Sequence, residues 1–253
     1  MNVVNKCLMA SAALASLLGQ QAVADSWAFE LEPYLMAVSI EGDAGVGRVT
    51  GAEVDVDTDA VLETLEMGAM IHFEALHDSG WGAIVDYSFM DLGADIQGSR
   101  GGVVDAQVRQ GVLQLEAFYR QQLDASTLDY SMGIRWWDND IDVEVDLGIL
   151  PGSLESEVEA DWVDVFMGLR WIKPLNSNWQ LLARGDVGGA GLEADFTASV
   201  SLGARYRLGQ SMVLDMAYRG TWVDYSEGSK SSANYFSYDT VTHGPLVGLI
   251  FEF

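Results

Sequence analysis

The chain has 253 residues, a formal net charge of −25 and hydrophobic residues at 49% of its positions. Such a negative surface repels nucleic acid, and eight Trp, nine Tyr and nine Phe argue against a disordered acidic chain. The length allows one barrel or one to two ordinary domains.

The first 24 residues have the features of a secretory signal peptide. Residues 8–18 form an apolar run too short to span a membrane as a helix, and residues 22–24 read Ala-Val-Ala, an A-x-A cleavage pattern. We therefore expect residues 1–24 to be the signal peptide and residues 25–253 to form one mature domain. The single cysteine, Cys7, lies in the signal, so we expect no disulfide and no thiolate metal site in the mature protein.

From Trp27 onward, apolar residues recur at every second position in stretches of about ten residues, separated by turn signals. This alternation is typical of a membrane barrel, in which one face of each strand meets lipid and the other meets the lumen. We predict an all-β, transmembrane, up-and-down antiparallel β-barrel of about ten strands, although eight or twelve strands also fit the pattern. The stretches are residues 27–40, 66–77, 81–92, 107–122, 127–137, 162–172, 179–187, 195–208, 211–225 and 240–253.

The connections between the stretches alternate between short and long. Barrels of the Gram-negative outer membrane have short periplasmic turns, longer outer loops and both termini in the periplasm, so the pattern indicates the cell outer membrane. The short connections are residues 78–80, 123–126, 174–178 and 209–210. The connections read as mostly longer loops are residues 41–65, 93–105, 138–161, 188–194 and 226–239.

The tryptophans cluster at the ends of the stretches. Membrane barrels carry an aromatic girdle at each interface, whereas a soluble β-sandwich would bury its tryptophans centrally. We therefore predict two girdles, one beside the short turns and one beside the long loops. Their members are Trp27, Trp81, Trp136, Trp162, Trp171, Trp179 and Trp222.

Charged residues also follow the alternation and share one face of each stretch. Because charge is costly on the lipid face, that polar face must line the lumen. We expect the arginines to pair with inward carboxylates, since Arg forms planar, bidentate pairs and stays charged when partly buried. The predicted lumen network contains Glu74, Asp86, Glu116, Arg120, Asp129, Arg135, Asp164, Arg170, Arg184, Asp186, Arg205, Arg207, Asp215 and Arg219.

Two functions are compatible with such a charge-paired lumen. Ten strands make a narrow barrel, only slightly wider than one that side chains fill completely. The network either fills and rigidifies the interior, which makes the protein structural, or it lines a narrow, gated, porin-like channel. The sequence favours the structural interpretation.

The long connections are rich in acids. Residues 138–161 hold nine Asp and Glu and no Lys or Arg. Oxygen-rich clusters can bind Ca²⁺ or Mg²⁺, but no EF-hand spacing is present, so the sequence predicts at most weak binding of divalent cations. Mutually repelling, solvated extracellular loops are the favoured interpretation.

The chain ends in Phe253, preceded by apolar residues at alternate positions. This ending resembles the C-terminal signal of outer-membrane barrels, which implies recognition by the barrel-assembly machinery. The other expected partners are outer-membrane lipid and lipopolysaccharide, through the lipid-facing side chains.

Five short elements, among them residues 133–136 and 218–220, resemble a widespread family of uncharacterised Gram-negative outer-membrane β-barrel proteins. Residues 185–191, Gly-Asp-Val-Gly-Gly-Ala-Gly, are similar to that family's D-V-G-G-F-G element, with Ala190 in place of Phe. Residues 61–65 resemble its L-E-N-L element, and residues 243–249 resemble its C-terminal strand. The resemblance implies a fold and a location, and it supplies no activity.

Catalysis would need a positioned base, and the chain offers three histidines, His72, His77 and His243. His72 is expected inside the barrel and His77 at a periplasmic turn. We predict no enzyme and no cofactor, because no nucleophile motif, zinc spacing or nucleotide fingerprint is present. The alternative is an outer-membrane barrel hydrolase with a rim site near His243.

Overall fold

The computed structural model describes residues 26–46, 49–56, 58–59, 65–97, 103–146, 153–189, 191, 193–228 and 235–253. The predicted signal peptide, residues 1–24, and residues 61–64 of the L-E-N-L-like element lie outside these ranges. In the described part of the chain, no helix is long and apolar enough to cross a membrane.

The described residues form twelve antiparallel strands. They are β1 (Trp27–Met36), β2 (Ser39–Val46), β3 (Val49–Val56), β4 (Leu65–His77), β5 (Trp81–Gln97), β6 (Val103–Gln122), β7 (Thr127–Asp146), β8 (Ser153–Pro174), β9 (Trp179–Gly189), β10 (Phe196–Arg207), β11 (Met212–Glu227) and β12 (Phe236–Glu252).

Ten of these strands close into a barrel. Each strand from β4 to β12 pairs with the next, and β1 pairs with β4 on one side and with β12 on the other. After residues 37–38, β2 continues in the direction of β1 and pairs with residues 236–243 of β12. The strand β3 pairs in turn with β2. The prediction of a ten-stranded up-and-down barrel is confirmed, with the β2–β3 hairpin added at the end opposite the short turns.

At the end of the barrel opposite the short turns, the strands are longer than the sequence led us to expect. Residues 41–65, 93–105, 138–161 and 226–239 were predicted to be loops, but most of their described residues continue the strands. β7 and β8, for example, stay paired as far as Asp146 and Ser153. The physical reason is that acids alternate with apolar residues there, as in residues 140–146. This alternation is compatible with a β-strand as well as with a solvated loop.

Side chains alternate between an apolar exterior and a largely buried interior. Large apolar side chains such as Leu35, 71% exposed, and Met132, 69% exposed, face outward. Their neighbours Tyr34 and Ser131 lie on the opposite, inner face. The exterior of the barrel is therefore suited to lipid.

The tryptophans form two rings, with one correction. Trp27, Trp81, Trp171 and Trp179 lie by the short turns, and Trp136 and Trp222 lie on the outward face toward the opposite end. Trp162 does not belong to a girdle, because it is 1% exposed and shares the inner face with Asp164 and Phe166. Its nearness to a long connection suggested a girdle, whereas its position in the alternation places it inside.

The glycine element of residues 185–191 ends β9 and begins the turn to β10. A Cβ at Gly188 would lie 2.5 Å from the Val165 carbonyl oxygen, so the close approach of the strands requires glycine there. Gly189 and Gly191 have φ of 87° and 69°, a region that favours glycine. The described glycines of this element therefore shape a turn, while Ala190 lies outside the described residues.

Candidate functional site in the barrel lumen

The fourteen predicted network residues all lie on the inner face of the barrel. Cross-strand register brings several of them directly opposite one another, because side chains that face each other across paired strands point to the same side. Examples are Arg120 opposite Asp129, Asp129 opposite Arg170, and Arg205 opposite Asp215.

Four of these residues form a compact ionic cluster toward the short-turn end. Arg120 donates to both carboxylate oxygens of Asp129, at 2.8 and 2.9 Å, and to Glu74 Oε1 at 3.1 Å. Arg170 donates to Glu74 Oε2 at 2.6 Å and to Asp129 Oδ2 at 2.8 Å. Two arginines and two carboxylates thus neutralise one another.

Apolar side chains surround this cluster. The guanidinium carbons of Arg120 and Arg170 lie 5.5 and 5.1 Å from the ring centre of Phe118. Ile84 and Ile250 are as deeply buried as Phe118, each 1% exposed. We call Glu74, Phe118, Arg120, Asp129 and Arg170 the plug, because these side chains meet in the lumen and are largely buried, Arg120 being the most exposed of the four charged ones at 15%.

Two further arginines, both on β10, extend the network from the plug toward the short turns. Arg205 lies 3.4 Å from Asp215 Oδ2 and 3.4 Å from Glu30 Oε2. Arg207 makes a bidentate pair with Glu252, at 2.6 and 2.8 Å, in a position that is about one-third exposed. The ionic network therefore continues to the short-turn rim of the barrel.

A second layer of arginines lies on the other side of the plug. Arg135 donates to Asp186 Oδ1 at 2.9 Å and to Gln114 Oε1 at 3.0 Å, with its guanidinium 4.8 Å from the ring centre of Phe166. Arg184 pairs with Glu116. Each of these two guanidinium groups therefore has one carboxylate partner.

Arg219 departs from the expected pairing. Within the described residues, no carboxylate lies within 4.0 Å of its guanidinium, which instead lies 5.4 Å from the ring centre of Tyr34 and 3.4 Å from the Tyr34 hydroxyl. That hydroxyl donates to Asp86 Oδ1 at 2.9 Å, and His72 Nδ1 lies 3.0 Å from Asp86 Oδ2. Arg219 is thus linked to the Asp86 carboxylate through the Tyr34 hydroxyl.

Asp164 also has other partners than predicted. Its Oδ2 accepts hydrogen bonds from the indole nitrogens of Trp137, at 3.0 Å, and of Trp162, at 3.2 Å. These two rings stack with each other at 5.4 Å and join Tyr225 and Phe236 in a buried cluster. An arginine partner is replaced by two neutral donors, since Arg135 turns toward Asp186.

Two cavities lie along the lumen. The upper cavity, toward the end of the barrel opposite the short turns, has a volume of about 110 Å³. The lower cavity, nearer the plug, has a volume of about 40 Å³. Both are lined by Tyr34, Asp86, Arg184, Ser201 and Arg219. The lumen is therefore not uniformly filled, and this shared layer lies between its two spaces.

His243 lies on the outer face of the barrel. Its Nδ1 is 2.7 Å from the hydroxyl of Tyr218, and its Nε2 is 3.4 Å from Glu41 Oε1. All three side chains are at least partly exposed on the face that also carries Trp222. The side chain of His243 therefore lies on the exterior wall of the barrel and not in the lumen.

Acidic side chains face one another across strands beyond the outer girdle. Asp138 lies opposite Asp161, and Asp140 lies opposite Glu159. Arg109 donates to Asp140 Oδ2 at 3.0 Å. No group of three or more metal-ligating side chains that could hold an ion occurs within the ranges that the structure describes.

Two groups near the end of the barrel opposite the short turns have shifted pKa values. Asp224 lies opposite Asp239 across β11 and β12. Partial burial, together with the charges of Asp239 and Asp195, raises the pKa of Asp224 above its ordinary value. Burial and a hydrogen bond to Glu227 likewise raise the pKa of the Tyr225 hydroxyl.

Comparison with solved structures relates this chain to bacterial outer-membrane barrels. The outer-membrane protease OmpT of Escherichia coli is similar with a TM-score of 0.53 and 11% identity, covering 90% of this chain and 97% of that one. A major outer membrane protein of Thermus thermophilus has a TM-score of 0.41 and 12% identity, covering 90% and 100%. At these identities the likeness extends to the fold alone.

No protein-family model matches the chain, and no curated protein matches its sequence. The outer-membrane barrel architecture is therefore established by structure. Membership of the particular family with the D-V-G-G-F-G element stays a prediction.

Proposed function

We propose that this protein is a structural barrel of the bacterial outer membrane whose lumen does not conduct. The plug is the observation that supports this proposal. Four charged side chains from β4, β6, β7 and β8 meet across the interior, with Phe118 packed against both arginines. Opening a path would separate buried ion pairs, and an uncompensated buried charge costs about 3–5 kcal/mol.

Planar-bilayer recording tests the proposal. The refolded protein, checked for heat-modifiable migration on gels, should give no steady conductance. The matched control is the double variant Phe118→Ala, Arg170→Ala, which removes the aromatic and one cationic part of the plug and should admit ions. A steady conductance of the unaltered protein would refute the closed lumen.

A narrow gated channel is the second candidate, and the two cavities favour it. They lie in line and share a layer of side chains, so a change in that layer and in the plug could join them. Brief conductance steps that appear only under applied voltage in the unaltered protein would support this candidate over the first.

We propose that the protein is not a catalyst. The structurally similar OmpT is a protease, but the likeness to it extends to the fold alone. Here His243 lies on the exterior wall between Tyr218 and Glu41. The pure protein should leave lipopolysaccharide, phospholipid and peptides unchanged. Turnover that is lost in His243→Ala would favour the hydrolase instead.

The proposed partners are outer-membrane lipid, lipopolysaccharide and the barrel-assembly machinery. The exposed outer face supports the first two, and Phe253 supports the third. Phe253 is half-exposed, and its ring lies 5.8 Å from that of Phe29 on the first strand. Deleting Phe253 should lower the amount of barrel inserted in cells, while spontaneous refolding in vesicles should change little.

Weak binding of divalent cations also remains part of the proposal, at the acidic outer surface. Asp138 and Asp161 face each other there, and a cation between them would relieve their repulsion. Calorimetric titration with Ca²⁺ should then give millimolar affinity that Asp138→Asn weakens.

A further inference from the structure

The upper cavity has a charged floor and a wall that is apolar on one part of its circumference. The floor carries three guanidinium groups, those of Arg135, Arg184 and Arg219. Beyond this floor, β1, β4, β5 and β7 contribute mostly apolar side chains, such as Met36, Met70 and Met90, whereas β10, β11 and β12 contribute Ser199, Thr221 and Thr242. A molecule with one charged end and one apolar end would match this division.

Among the described residues, Arg219 is the guanidinium of the floor that has no carboxylate within 4.0 Å. A guanidinium has five N–H donors. Arg219 directs one of its nitrogens to the Tyr34 hydroxyl at 3.4 Å, a long hydrogen bond. Arg135 and Arg184, by contrast, each bind a carboxylate of the barrel. The planar fork of Arg219, which lines both cavities, is thus suited to receive a carboxylate from a ligand.

The carboxylates of the floor are already bound. Asp186 accepts from Arg135, and Asp86 accepts from Tyr34 beside His72. A cationic ligand would have to compete with these partners, whereas an anionic one would not. The charge arrangement therefore favours an anion over a cation.

The apolar wall is adaptable. Met36, Met70 and Met90 contribute to it, and methionine side chains fill irregular space because they are unbranched and flexible. The indole of Trp137 lines the same wall, held in place by its hydrogen bond to Asp164. A volume of about 110 Å³ admits a short alkyl chain but not a large molecule.

We propose that the upper cavity binds a short-chain monocarboxylate, with its carboxylate on Arg219 and its alkyl chain against the methionines and Trp137. This inference goes beyond the proposed function and is independent of it, because binding above the plug needs no conduction. Conductance and ligand binding can therefore fail or succeed separately.

Isothermal titration calorimetry on the full barrel in detergent, with micelles alone as the blank, tests the proposal. The probes are hexanoate, hexanol and hexylamine, which share a chain and differ in the head group. Hexanoate should bind with saturation and at least tenfold more tightly than the other two. Equal affinities for hexanoate and hexanol would overturn the proposal, and this comparison requires no variant.

Substitutions then locate the site. Arg219→Met should weaken hexanoate at least tenfold and leave hexanol unchanged. The matched control is Arg207→Met, since Arg207 pairs with Glu252 at the short-turn rim. Inorganic phosphate serves as a second anion, and tighter binding of phosphate than of hexanoate would contradict a carboxylate site. Undiminished hexanoate binding by Arg219→Met would also overturn the assignment.

Discussion

The indole of Trp162 lies flat against the ring of Tyr225, with 4.0 Å between centroids and an angle of 8° between planes. These residues belong to β8 and β11, which are separated in the sheet by β9 and β10. At the end of the barrel opposite the short turns, β9 ends at Gly189 and β10 begins at Phe196, while β8 and β11 continue. No strand therefore lies between β8 and β11 at this level of the described chain. The stacked rings thus connect β8 and β11, between which the described residues form no strand pairing.

We expect Trp162→Ala to destabilise the barrel by about 3–5 kcal/mol, as for other buried aromatic truncations. The substitution removes the stack with Tyr225 and one of the two indole donors to Asp164. Urea unfolding in lipid vesicles measures the change. Trp136→Ala is the control, because Trp136 is 44% exposed on the outer face and should cost about 1 kcal/mol or less. Similar losses in both variants would contradict the structural difference between them.

Arg170→Ala should cost about 3–5 kcal/mol, because it leaves the buried carboxylates of Glu74 and Asp129 with one cation instead of two. Arg207→Ala should cost at most about 1 kcal/mol, since that pair is about one-third exposed. Both are measured by urea unfolding of the refolded barrel. Two small and equal losses would mean that water reaches the plug.

Gly188→Ala should destabilise the barrel by about 1–3 kcal/mol through overpacking. The added methyl group would lie 2.5 to 2.9 Å from atoms of Val165, Phe166 and Thr197. Two of these atoms, the Val165 carbonyl oxygen and the Phe166 Cβ, cannot move without a shift of the backbone of β8. Gly209→Ala provides the control, because nothing lies within 4 Å of its Cβ position. Thermal unfolding followed by circular dichroism distinguishes the two, and an unaffected Gly188→Ala variant would argue against the close packing of β8, β9 and β10.

Asp224 should make the outer end of the barrel more stable in acid. A carboxyl whose pKa is raised in the folded state contributes stability below its unfolded pKa and loses that contribution as pH rises through the folded pKa. Asp224→Asn imitates the protonated form. The variant and the unaltered protein should be equally stable below about pH 4 and should diverge above it, with the variant more stable at pH 7. Urea unfolding between pH 3.5 and about pH 8 checks this, and a difference that is constant over that range would contradict it.

The alternation of the sequence was sufficient to predict the barrel and its inner face, and it indicated about ten strands while leaving eight or twelve open. Residues such as Asp129 and Arg170 could be assigned to the lumen because both follow the polar face of their stretch. The same rule would have placed Trp162 inside, since it lies two residues from Asp164 and eight from Arg170 on β8. Its position beside an acidic segment instead suggested a place in the aromatic girdle.

The partners of each charge could not be predicted from alternation. Parity assigns a face, but the height of a residue in the lumen depends on the tilt of the strands and on how the ends of the sheet meet. Asp164 lies opposite Arg135 in the register and yet binds two indoles, while Arg135 reaches Asp186 on β9. Arg219 binds Tyr34, on a strand 185 positions away in sequence.

The plug also makes charge neutralisation depend on curvature. Glu74 and Arg170 are 96 positions apart and belong to β4 and β8. On a flat sheet these strands would be separated by four spacings of about 4.8 Å, roughly 19 Å, which is too far for an ion pair. Their 2.6 Å hydrogen bond can exist only once the sheet has curled. Asp129 can pair with Arg120 and Arg170 across neighbouring strands before closure, but Glu74 gains Arg170 only when the sheet forms the cylinder.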